Sequence, residues 1–190
     1  MDDYYRSKLT QLDQLIRAAQ WTKAHQVFRQ FQNRKLPREF VLEFADVARR
    51  LNKPYQILKW LYPLVRPKKI ISKPPSYSEV SIYAIGLTRI GAYHEADVLL
   101  KNLPKDDPSV IQGKIQLNTN RWRYAQTIRL LKSFLRMSDK TSYQYKIAQV
   151  NLLAALVYME KWQKVDEIKA SILNQSHQTL SPLLQANVLE

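Results

Sequence analysis

Residues 77–108 read YSEVSIYAIGLTRIGAYHEADVLLKNLPKDDP. Ala84 and Leu87 precede a Gly91-Ala92-Tyr93 step, and Ala96 and Leu100 follow it. Ser76 and Glu79 have the spacing of a capping box, which marks a helix start. Gly91 reads as a helix end, and Pro108 suits a first helical turn, where no amide donor is needed. The segment is therefore expected to fold as helix, tight turn, helix.

Working outward, an aromatic residue, two mostly polar residues and an apolar one recur five times. The instances are Trp21 with Ala24, Tyr55 with Leu58, Tyr93 with Ala96, Trp122 with Ala125, and Trp162 with Val165. Helical periodicity flanks each. Tyr5, Leu9, Leu12, Ile16 and Ala19 fall on one face before Trp21; Ala24, Val27, Phe28 and Phe31 do so after it. Pro37, Pro54, Pro108 and Pro182 are expected in first turns, with Asp107 and Ser181 as N-caps. The five aromatics are expected to pack between helices. Because one amphipathic hairpin cannot bury its own face, neighbouring hairpins are expected to stack.

The 77–108 segment resembles a tetratricopeptide repeat. It has a small residue in the first helix, Gly-x-aromatic at the turn, a small residue three further on, and a closing proline. Gly113, Trp122 and Ala125 extend the likeness to the next hairpin. The resemblance implies an all-α, right-handed α-solenoid of about five antiparallel hairpins, near 3–35, 37–66, 76–104, 107–137 and 141–174, in one domain of residues 1–188. Ser181-Pro182 reads as the start of a further helix and Leu189-Glu190 as a cloning remnant, so a C-terminal continuation is expected. In such repeats the first helices line a concave groove that receives peptides. On that mapping Asp13, Arg17, Asp46, Arg50, Arg89 and Lys114 face the groove. Arg17, Arg50 and Arg89 also lie near helix C-termini, where the dipole favours a cation by ~0.3–1 kcal/mol.

Composition bounds the chemistry. The 190 residues include no cysteine, so disulfides and thiolate ligands are excluded. His25, His94 and His177 stand far apart and form no metal-binding spacing. Gly86 and Gly91 share the glycine spacing of a phosphate loop, but Ala92-Tyr93 replaces the required Lys and Ser/Thr. Asp106-Asp107 reads as a cap. No catalytic residue, cofactor site or metal site is assigned, and a non-enzymatic role is expected. No secretory leader or membrane span is read, and the cytoplasm is the expected compartment.

The net charge of +14 is unevenly spread. Residues 37–75 carry nine basic and three acidic side chains; residues 108–140 carry seven and one. Two features concentrate it. One is an extended, proline-bounded insert bearing Arg66, Lys68, Lys69 and Lys73. The other is the helix after Trp122, with Arg129, Lys132 and Arg136 on one face and Tyr124, Ile128, Leu131 and Leu135 on another. Arg121 and Arg123 sit at its start. Such fields attract acidic protein segments or nucleic-acid backbones. Arg121-Trp122-Arg123-Tyr124 mixes phosphate-binding and base-stacking side chains.

The reading that follows is a protein-interaction scaffold for an acidic or C-terminal segment of a partner. A nucleic-acid-binding helical repeat and an assembly or secretion chaperone are the alternatives. Leu152, Leu153, Leu156 and Val157 are expected to give the last hairpin an apolar surface for self-association.

Overall fold

The computed structural model describes residues 2–68 and 73–174. The described residues form ten α-helices and no strand. These are α1 (Asp2–Arg17), α2 (Trp21–Arg29), α3 (Val41–Arg50), α4 (Pro54–Val65), α5 (Tyr77–Arg89), α6 (Tyr93–Lys101), α7 (Pro108–Asn120), α8 (Tyr124–Met137), α9 (Tyr143–Tyr158) and α10 (Trp162–Asn174). They divide into two compact units, residues 1–113 and 114–190, with the division inside α7. Lys69, His177, Ser181, Pro182 and the Leu189-Glu190 pair lie outside the described residues.

One turn geometry recurs five times. Ala19, Asn52, Gly91, Trp122 and Glu160 each adopt a left-handed conformation, with φ of 54°, 52°, 86°, 58° and 54°. Each donates its amide to the carbonyl three residues back, and the next residue donates to the carbonyl five back. Lys53 to Ala48 (2.8 Å), Ala92 to Leu87 (2.9 Å) and Lys161 to Leu156 (3.0 Å) are examples. This is a Schellman closure, which satisfies carbonyls that a helix end leaves open. Five residues after each left-handed position comes a buried side chain: Ala24, Ile57, Ala96, Thr127 and Val165.

That register corrects the aromatic alignment. Trp21, Tyr93 and Trp162 do open second helices, but Pro54 and Tyr124 hold the same place in the other two. Ile57 and Thr127, not Leu58 and Ala125, are the buried partners. Nor are four of the five aromatics buried between helices, and Tyr93 is half-buried. Trp21, Tyr55, Trp122 and Trp162 are 37%, 75%, 72% and 57% exposed. A residue in the first turn of a second helix projects toward the loop end of its hairpin, whereas the position three along meets the facing helix.

Helix starts largely follow the expected chemistry. The Ser76 hydroxyl accepts from the Glu79 amide at 3.2 Å, and Glu79 Oε2 accepts from the Ser76 amide at 2.7 Å. Asp107 Oδ1 accepts from the Ser109 and Val110 amides. Ser142 caps α9 by accepting from the Tyr145 amide at 3.1 Å. Pro54 opens α4, but Pro37 precedes a 3-10 turn, Arg38–Phe40, instead of sitting in a first α-helical turn.

In the first unit, α1 packs on α2 and α3, α3 on α4 and α5, and α5 on α4 and α6. First helices of successive hairpins thus lie against each other. An aromatic cluster fills the α1–α4 interior. Tyr5 stacks on Phe40 at 5.2 Å, Phe31 meets Phe44 at 4.6 Å, and Phe28 meets Trp60 edge-on at 5.6 Å. Each such side chain contributes roughly 1.5–3 kcal/mol by leaving water. At Gly86 an added Cβ would lie 3.1 Å from Ile57 Cγ2 and Leu58 Cδ2, so the missing side chain sets how closely α5 approaches α4.

In the second unit α8 and α10 both pack on α9. The buried stripe of α8 is Thr127, Leu131 and Phe134; Tyr124, Ile128 and Leu135 are only half-buried. Val150 and Ile172 form a core with Tyr143, Ile147 and Ile168 around them. The apolar surface read on α9 is mostly absent, because Leu152, Leu153 and Leu156 are buried and only Val157 of the four is exposed.

Candidate binding surfaces

Within the first unit three of the five residues assigned to a groove are bonded to one another. Asp13 Oδ2 accepts from Arg17 Nε at 2.7 Å, and Asp13 Oδ1 accepts from Arg50 Nη1 at 2.7 Å, joining α1 to α3. Asp46 accepts from Arg49 Nε at 2.7 Å. Arg89 donates to the Arg49 carbonyl oxygen and, at 3.3 Å, to Asn52 Oδ1. The structure thus brings Asp13, Arg17 and Arg50 into one network and ties Arg89 to the α3–α4 turn. Arg49, which links Asp46 to Arg89, was not singled out by sequence. Lys114 belongs to the second unit, on α7, and is half-buried.

These contacts change the electrostatics. Burial pulls the Arg89 pKa below its ordinary value, and the Arg49 charge adds to the effect. No carboxylate pairs with Arg89 among the described residues. Its charge is met by a carbonyl and an amide oxygen, so it is solvated by the protein in place of water.

The proline-bounded insert leaves Arg66, Lys68 and Lys73 exposed outside any helix. Arg66 is partly neutralised, with Nη2 2.5 Å from Glu95 Oε1. Exposed pairs of this kind contribute about 0–1 kcal/mol.

In the second unit, the rings of Tyr124 and Tyr158 stack at 4.7 Å with an interplanar angle of 4°. Trp122 lies edge-on to both, at 6.0 and 6.2 Å. Burial raises the Tyr124 pKa, with neighbouring Tyr158 adding to it. Arg121 and Arg123 flank Trp122 in sequence, and Arg129, Lys132 and Arg136 are exposed on α8. Tyr158 was missed by sequence because it lies thirty-odd residues away, at the end of α9.

No group of three or more His, Asp or Glu side chains among the described residues could hold a metal ion. No helix among them is long and apolar enough to cross a membrane. Compared with family models and with curated proteins, the sequence matches none.

Proposed function

We propose that the chain is a helical-hairpin repeat of the tetratricopeptide kind, serving as a non-catalytic scaffold that binds an acidic segment of a protein partner. The observation that carries this reading is the fivefold recurrence of one Schellman turn with a buried residue five positions later. A repeated hairpin is the unit from which solenoids with extended binding faces are built. The adjacency of α1, α3 and α5 supports stacking in the first unit. The charge of +14 supports an acidic partner. Affinity capture of the intact protein with cross-linking and mass spectrometry tests it. Reproducible recovery of a partner through an acidic segment, lost in an Arg129/Lys132/Arg136 triple-Glu variant, is expected. A folded bait that recovers no partner would overturn it.

A second reading, nucleic-acid binding, is favoured by one observation. Trp122 is 72% exposed beside Tyr124 and Tyr158, instead of being used up in the core. Aromatic faces with flanking arginines stack unpaired bases and neutralise phosphates. Titration with single-stranded RNA and DNA across a salt series distinguishes the readings. Binding should fall steeply with salt and weaken in Trp122→Ala. No binding at low salt would dismiss this reading.

A further inference from the structure

A depression of roughly 290 Å³ opens on the first unit between α2 and the α3–α4 turn. Thr22, His25, Gln26 and Arg29 line it from α2, at the i, i+3, i+4 and i+7 positions that share one helix face. Gln32 and Lys53 form the remaining wall. The Gln32 backbone is held in place: its carbonyl accepts from Gln56 Nε2 at 3.1 Å and from Lys59 Nζ at 3.0 Å. The lining therefore offers two permanent cations, one imidazole, one hydroxyl and two amides. It contains no carboxylate, and neither Arg29 nor Lys53 has an ion-pair partner among the described residues.

We propose that this depression is a binding site for a phosphate group, held between Arg29 and Lys53 with His25 as a third donor. The space accommodates a tetrahedral oxyanion together with several waters, each occupying about 30 Å³. A guanidinium and an ammonium lining one depression can form the charge-assisted bonds that anions seek. Thr22 and the side-chain amides of Gln26 and Gln32 supply neutral donors, as a phosphate with more than three acceptor sites requires. His25 reports on occupancy. Burial lowers its pKa, and Lys53 and Arg29, the charged groups facing it, lower it further. A bound anion would reverse the charge contribution, and by reciprocity the protonated imidazole would tighten the anion.

The test is an NMR titration of the His25 ring resonances in the full chain, assigned with His25→Gln. Inorganic phosphate, glycerol phosphate and, at matched ionic strength, sodium chloride are added in parallel. A saturable shift with phosphate, absent with chloride, and a rise in the His25 pKa are expected, with a Kd on the order of millimolar. Arg29→Met and Lys53→Met keep their apolar stems, and each should weaken binding at least roughly tenfold with an unchanged circular-dichroism spectrum. Saturation by glycerol phosphate alone would identify the source as a phosphomonoester and uphold the site. A linear response equal to that of chloride, or binding unaffected in both Met variants, would overturn it.

Discussion

Arg38 and Glu79, forty-one residues apart, form a two-point ion pair that joins the start of the second hairpin to the start of the third. Arg38 Nη2 lies 2.9 Å from Glu79 Oε2, and Nη1 bonds Oε1. The same carboxylate closes the capping box of α5 and is only 2% exposed. One side chain thus serves both a local helix start and a contact between hairpins.

This arrangement gives an acid-sensitive stability. Burial alone would raise the Glu79 pKa; the bonds from Arg38 and the Ser76 amide outweigh it and hold it below its reference value of 4.5. The unfolded chain then takes up the proton first as pH falls. The stabilisation is fully present above pH 4.5 and is lost as pH drops through the lower folded value. Urea unfolding across an acid series should show this decline in the wild type. Glu79→Gln should cost about 2 kcal/mol at neutral pH and show a shallower decline.

Among the described residues the buried Ser81 hydroxyl has no hydrogen-bond partner, and the residue is 1% exposed. An unsatisfied buried hydroxyl is destabilising, and Ala fits the same helical backbone. Ser81→Ala should raise stability by about 1 kcal/mol in chemical denaturation.

Left-handed backbone is cheap only for glycine. All five turns need it, and only one places a glycine there, Gly91 at φ 86°. Gly91→Ala should therefore cost about 1 kcal/mol even though nothing lies within 4 Å of the added Cβ. Glu160→Gly, at φ 54°, should gain a similar amount. Opposite shifts in melting temperature check the pair.

Gly86 has a different requirement, space instead of φ. Gly86→Val would force α5 away from Ile57 and Leu58 on α4 and should cost about 2–3 kcal/mol. A lowered unfolding midpoint with an unchanged slope would confirm loss of packing within a retained fold.

Much of the helical layout was legible in sequence. The Ser76/Glu79 box, the Asp107 cap and Gly91 declared their roles through local spacing, and those elements form as read. The aromatics misled because a ring at a helix start looks apolar in a string of letters. Its direction depends on the turn, and three of the five turns use Ala, Trp or Glu, which carry no signature of left-handed backbone, unlike Gly91 and Asn52.

By itself, then, the sequence determined the helices, the capped starts and the uneven charge, since each depends on residues within a few positions of one another. Only the tertiary structure decided where the charges and rings go. It paired Asp13 with Arg50 and Arg38 with Glu79, turned Trp122 outward beside Tyr158, and gathered His25, Arg29 and Lys53 around one depression. Those relationships join distant segments, and their formation depends on how whole helices meet.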